Sequence, residues 1–383
     1  MLGLAAAQGA GTVALPQLTP TQAALLRAVD ADLAGNHSAA AIARLQQALE
    51  QDPTWKEGWW RLGALWYEND NYGAAIGAFA RLTKLDPTAG APWVMVGLCE
   101  FEVHDYGLSL QHIEQGRGLG FPRNPDLSDV ARYHQAEDLI LTGNFQEAQT
   151  LLNGFWQVGK NPKNITVAQG LAALQIPITE IAASTLSTTY REVIKRVGQA
   201  QYEVVLRHGG AARAAFEKLI AQYPDFPSLH YAFGVALQGQ GKIEAARAQF
   251  QAELAVSPEA VPARLQLAGL SLGSADAAPG IAYARAALKL APTSAPGHYL
   301  LGTLLIQEHQ LEAGAAEIEK SKDLDPGSSV VRYTLAQVYL RLHRRADALR
   351  EQKEFLRLKP MQDSLTANGT LPASAYLSSG QKP

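Results

Sequence analysis

His104, Asp105 and His112 come nearest to a metal-binding set in this chain. Two imidazoles with a carboxylate alongside suit zinc, but such a site needs further ligands in fixed geometry. No residue nearby completes the set, and the three read as solvated turn residues. His230 and His298 stand four residues before Gly234 and Gly302. That equivalence explains them better than catalysis does. The sequence has no His-Glu-x-x-His, no Gly-x4-Gly-Lys-Ser/Thr and no Gly-x-Ser-x-Gly, so zinc hydrolysis, phosphate cradling and a nucleophile elbow find no support. Cys99 is the single cysteine. An intramolecular disulfide and a cysteine metal cluster are thereby excluded, and its apolar setting (VGLCEF) reads as core. No catalytic residue, cofactor site or metal site is expected, and the chain is read as a non-enzyme.

The elements that carry these residues follow from a ruler of prolines. Pro53 and Pro87 are 34 residues apart, and Pro224, Pro258, Pro292, Pro326 and Pro360 follow at the same step. Pro122 and Pro224 are separated by 102 residues, three more steps. A fixed period of this length closed by proline marks stacked helical hairpins. Within the unit ending at Pro87, Trp59, Leu62, Gly63 and Trp66 share one face of a first helix (A), and Ala75, Phe79 and Leu82 share one face of a second (B). Small residues at Gly63 and Ala75 mark the closest approach of the two helices. The register repeats as Phe233, Gly234, Leu237, Ala246, Phe250 and as Leu301, Gly302, Leu305, Gly314, Ile318. Turn residues such as Asn69-Asp70-Asn71 and Gln238-Gly239-Gln240-Gly241 separate A from B.

This pattern resembles the tetratricopeptide repeat family over about residues 20–360. The unit at 54–87 carries it best, with Trp59-x2-Leu62-Gly63-x2-Trp66, Ala75-x3-Phe79 and Pro87. The resemblance implies an all-α fold, a right-handed superhelical α-solenoid of antiparallel helix pairs, with one divergent unit in the middle. Residues 1–19 form a leader or signal-peptide remnant expected to be disordered. Residues 20–156 make an N-terminal array of about four units, and 191–360 a C-terminal array of about five. Between them, 157–190 lack the small-residue sites, are interrupted by Asn161-Pro162 and Ile176-Pro177, and read as a divergent repeat or linker. The run Ser184–Thr189 is a weak helix former. The tail 361–383, rich in Ser, Gly and Pro, is expected to be disordered.

The resemblance also implies that the inner groove is lined mostly by A helices. Trp60, Tyr133, Tyr231, Tyr299 and Tyr333 stand one residue after the first core position of their A helices, and Tyr67 and Phe101 stand seven further on. These seven are the candidate groove residues, with Trp60 and Tyr67 foremost, because partly apolar troughs use aromatic anchors. Helical period alone cannot separate such a wall from packing between neighbouring A helices. Some family members clamp a C-terminal carboxylate with Asn and Lys. Here the matching positions are Ala64, Leu98, Val235, Gly269, Thr303 and Gln337, so that function is not carried over.

Charge adds a second candidate. Net charge is only −3, which gives no sign of nucleic acid. Its distribution is uneven: residues 1–122 hold 7 Lys/Arg against 12 Asp/Glu, and residues 327–360 hold 8 against 3. Arg341, Arg344 and Arg345 form a candidate basic patch for an acidic partner or lipid headgroups, or else the polar outer face of a capping unit. No apolar run is long enough for a transmembrane helix. The first residues, MLGLAAAQGAGTVALPQ, resemble the end of a signal peptide without its basic region. That favours the periplasm or secretion over the cytoplasm, a disordered leader being the other reading.

The function these readings favour is a non-enzymatic scaffold that binds a peptide segment or helix of another protein. The rival is an accessory or regulatory component of a bacterial-type enzyme or envelope assembly, with 157–190 as its functional insertion. Against it, that segment lacks His, Cys and paired carboxylates and is shorter than an independent domain. Self-association through an exposed end unit is a third reading.

Overall fold

The computed structural model describes residues 18–120, 125–159, 163–274 and 276–367, which hold twenty α-helices and no strand. Most of the expected leader and tail lie outside the described residues. The chain divides into two compact bodies, Met1–Asn144 and Phe145–Pro383.

The N-terminal body holds α1 (Pro20–Ala34), α2 (Ser38–Gln51), α3 (Lys56–Glu68), α4 (Tyr72–Leu85), α5 (Gly90–Glu102), α6 (Tyr106–Leu119) and α7 (Pro125–Leu141). The first six pair in sequence as A and B, and α7 packs on α5 and α6. Side chains start several of these helices. Thr19 and Gln22 form a reciprocal capping box at α1, and Asn71 and Asp105 accept from the backbone of α4 and α6. Each A helix ends in a left-handed residue, at Asn36, Asp70 and His104. The next residue then donates back across the last turn: Asn71 N to Trp66 O at 2.8 Å, Asp105 N to Glu100 O at 2.9 Å. His104 is thus a turn residue of the repeat.

The small-residue sites hold the pairs together. A Cβ on Gly63 would lie 2.8 Å from the ring of Phe79, and one on Gly97 would lie 2.7 Å from Ile113. Both partners are fully buried. By contrast, Gly77 in mid-α4 faces open space. Gly63→Ala is therefore expected to cost about 1–3 kcal/mol through overpacking, whereas Gly77→Ala should gain about 0.5–1 kcal/mol from helix propensity. Urea unfolding read by tryptophan fluorescence checks both, since Trp55, Trp59, Trp60, Trp66 and Trp93 all lie in this body. Equal midpoints for the two variants would contradict the packing assigned to Gly63.

The C-terminal body holds α8 (Phe145–Gln157), α9 (Lys163–Ala173), α10 (Glu180–Ala183), α11 (Thr188–Val205), α12 (Gly209–Gln222), α13 (Leu229–Gly239), α14 (Ile243–Val256), α15 (Val261–Gly269), α16 (Ala278–Leu290), α17 (Ala295–Gln307), α18 (Leu311–Leu324), α19 (Ser329–Arg341) and α20 (Arg345–Ala367). From α11 onward the helices pair as successive hairpins, and Gly302 repeats the contact seen at Gly63, with its Cβ position 2.7 Å from Ile318. Within 157–190, α9 packs against both α8 and α11. Contrary to the sequence reading, this segment has a small-residue site. A Cβ on Gly170 would overlap the carbonyl oxygen of Ile194, and one on Gly198 that of Thr166. Ser187, inside the Ser/Thr run, caps α11 by accepting from Tyr190 N.

The last proline of the ruler does not close its unit. Pro360 lies inside α20, which continues to Ala367. Proline removes one helical hydrogen bond but does not itself dictate a turn. At five earlier prolines the following A helix supplies a donor that holds the turn, as described next.

Candidate interaction surfaces

Five of the ruler prolines have their carbonyl oxygens occupied by a side chain of the following A helix. In the N-terminal body, Trp59 Nε1 donates to Pro53 O at 3.0 Å and Trp93 Nε1 to Pro87 O at 3.4 Å. In the C-terminal body, Arg264 donates to Pro258 O, His298 Nε2 bonds Pro292 O at 2.9 Å, and Arg332 Nη2 donates to Pro326 O at 3.3 Å. In every case the donor lies six residues after the proline. The same position also ties A to B: His230 Nδ1 lies 2.7 Å from Gln249 Oε1, His298 Nδ1 2.6 Å from Glu317 Oε2, and Arg332 Nη1 2.8 Å from Glu351 Oε2. His230 and His298 are accordingly structural. His112 is structural as well, with Nδ1 2.6 Å from Glu100 Oε2 and its ring 5.5 Å from Trp93. It is not brought together with His104.

One residue on from that donor, the helix turns its side chains to a different face. Trp60 stands edge-on to Phe79 at 5.5 Å, and Tyr67 to Tyr72 at 5.4 Å. Both are half-buried against the core of α3, α4 and α5. Phe101 and Tyr133 meet through His134, at 4.6 Å and 5.7 Å between ring centres. These four candidates therefore form two aromatic groups in the N-terminal body. The other three lie in the C-terminal body and differ from one another. Tyr231 is half-buried beside Phe250 at 5.8 Å. Tyr299 is only 6% exposed, with its hydroxyl 3.2 Å from Thr334 Oγ1, and serves packing rather than a surface. Tyr333 is 50% exposed and lies 5.4 Å from Phe355.

The basic patch also divides. Arg344 is engaged by Asp347 at 2.7 Å and stacks over Tyr339 at 4.3 Å. Arg341 and Arg345 are exposed and make no ion pair with a described residue.

A polar cluster between α5, α6 and α7 escaped the sequence reading. Asp138 is fully buried. One carboxyl oxygen accepts from Ser109 Oγ at 2.7 Å, and the other has no hydrogen-bond partner. Burial, reinforced by the charges of Glu137, Glu100 and Glu114, pushes the Asp138 carboxyl up to about 8. Burial also pushes the His134 imidazole down to about 4. Gln135 donates to Glu114 at 3.2 Å and accepts from Arg117. The only sequence signal was that Gln135 and Asp138 immediately precede the core positions Ala136 and Leu139.

Hairpins of antiparallel helices, small-residue crossings and a repeated proline turn define an α-solenoid. Residues 26–90 and 197–260 match the family model for the tetratricopeptide repeat, so each of the two bodies contains tetratricopeptide repeats. No curated protein matches the sequence. Among solved structures it is similar to a MamA fragment from Desulfovibrio magneticus RS-1, at 22% identity and TM-score 0.40, over 44% of this chain and 97% of that one. Yeast Tom70 aligns at 12% identity and TM-score 0.38, over 90% of this chain and 94% of its own. YrrB, described as a TPR protein with an unusual peptide-binding site, aligns at 16% identity and TM-score 0.38, over 46% and 92%. Among the described residues no helix is long and apolar enough to cross a membrane.

Proposed function

We propose that this chain is a protein-interaction scaffold, and that Trp60 and Tyr67 anchor a peptide segment or helix of another protein on the A helices of the N-terminal body. The observation that carries this reading is their half-burial. Each ring is held edge-on by one neighbour, Phe79 or Tyr72, yet keeps part of its surface open. A rigid aromatic held this way offers contact area at little entropic cost. Phe101 and Tyr133, joined through His134, form a second aromatic group in that body. Tyr231 and Tyr333 belong to the other body and are separate contacts.

The test is affinity capture from the native cell with the full chain and with its Trp60→Ala/Tyr67→Ala variant, followed by mass spectrometry. The variant should lose its principal partner by tenfold or more in recovery, with helical content unchanged by circular dichroism. Recovery of the same partners at the same level would remove the assignment.

A further inference from the structure

The last hairpin among the described residues leaves open a face that the hairpin before it has covered. Tyr299 on α17 and Tyr333 on α19 stand 34 residues apart in the same register. Thr334 of α19 meets the Tyr299 hydroxyl and Tyr299 is buried, whereas Tyr333 is half exposed. The B helices differ in the same way: Ala315 on α18 is buried, and its counterpart Leu349 on α20 is 66% exposed. Leu340 and Leu356 are also exposed. With Tyr333, Leu349 and Phe355 they line a shallow groove of about 110 Å³. A purely capping hairpin would present polar residues here. Exposed apolar side chains gathered in one patch mark a partner site.

Charge and geometry narrow the occupant. Arg344 and Arg350 are both held by Asp347, and Arg357 by Glu354. Arg341, Arg345 and Lys353 make no ion pair with a described residue. Arg345 and Lys353 lie four residues either side of Leu349 and so flank it on one face of α20. Arg341 follows Leu340. In the preceding hairpins the equivalent face is filled by the next A helix, so the space suits a helix. The segments on either side of the described residues lack the acidic residues that would match it. Residues 368–383 and 1–17 contain no Asp or Glu. The outward face of α1, which a second copy would offer, shows Ala24, Arg27 and Ala31 rather than large apolar side chains.

We propose that the α19–α20 face docks an acidic amphipathic helix of another protein, laid down as one further A helix. Its apolar stripe packs on Tyr333, Leu340, Leu349 and Leu356, and its carboxylates reach Arg341, Arg345 and Lys353. This surface is independent of the aromatic groups in the N-terminal body.

The probe is a fluorescein-labelled synthetic helix with a leucine stripe flanked by glutamates, titrated against the full chain by anisotropy. Two controls replace its glutamates by lysines or its leucines by serines. The glutamate peptide should bind saturably and at least tenfold more tightly than either control. Leu349→Ser with Leu356→Ser should weaken it tenfold or more at unchanged helicity, since both positions are exposed. Arg345→Glu with Lys353→Glu should reverse the preference toward the lysine peptide. Trp60→Ala with Tyr67→Ala should leave all of this unchanged, which keeps the test apart from that of the N-terminal surface. No binding, or equal binding of the two charged peptides, overturns the proposal. Tighter binding by a chain ending at Ala367 would give the face to the chain's own C-terminal segment. A dimer in sedimentation velocity that L349S/L356S dissolves would give it to a second copy. Either result also overturns it.

Discussion

Gly198→Ala is expected to cost the C-terminal body about 3 kcal/mol or more, the largest loss from a single methyl group in this chain. The added Cβ would overlap the carbonyl oxygen of Thr166, and the reciprocal position, Gly170, meets the carbonyl of Ile194 in the same way. At Gly63 the obstacle is a side chain, Phe79, whose ring has some freedom to shift. At Gly198 the obstacle is backbone, which cannot rotate aside, so α9 and α11 must separate. Separation opens a core that holds Ile165, Ile194 and Val197, each essentially without exposure. Every apolar side chain returned to water costs roughly 1.5–3 kcal/mol, and a domain holds only about 5–15 kcal/mol in all. Urea unfolding followed by circular dichroism should show the midpoint fall. An unchanged midpoint would mean that α9 is not part of the packed stack.

That contact shows where the sequence was readable and where it was not. Hairpins whose glycines fall on the proline ruler, such as Gly63, Gly97, Gly234 and Gly302, were legible. The period fixes the face, and the face fixes what must be small. Gly170 does not fall on the ruler, and its partner Gly198 is matched across helices separated by the α10 segment. Composition was a fair guide to the Ser/Thr run: Ser184–Ser187 lie between α10 and α11, and Ser187 is the cap that starts α11. For the surfaces, period gave position but not exposure. Tyr299 and Tyr333 have one register and opposite environments, because one hairpin has a successor and the other has none among the described residues. Likewise three neighbouring arginines read as one patch, although Asp347 takes Arg344 and leaves Arg341 and Arg345 without an ion pair.

The buried Asp138 should make the N-terminal body lose stability as pH rises toward 8, and Asp138→Asn should remove its share of that loss. An unfolded aspartate releases its proton near pH 4, whereas the folded Asp138 carboxyl keeps its proton up to about pH 8. Between those values the folded state holds one more proton than the unfolded state. Its stability therefore falls as pH rises, by about 1.4 kcal/mol per unit at most. His134 works in the opposite direction. Its folded value is pushed down to about 4, below an unfolded value of about 6.5. Between those two values the unfolded state holds the extra proton, and stability rises with pH. The two effects offset each other from about pH 4 to 6.5, and Asp138 acts alone from there to about 8, where roughly 2 kcal/mol is lost. Glu100 and Glu114, both raised chiefly by burial, add to the loss with rising pH in wild type and variant alike. Asparagine mimics the protonated carboxyl and can still accept from Ser109 Oγ. Urea unfolding by tryptophan fluorescence at pH 5, 6.5 and 8 should therefore find D138N more stable than wild type at pH 8. On acidification from pH 6.5 to 5 the variant should lose stability through His134, while in wild type Asp138 offsets that loss. Parallel pH curves for the two proteins would mean that Asp138 is ionised inside the fold, with the burial between α6 and α7 compensated by something other than a bound proton.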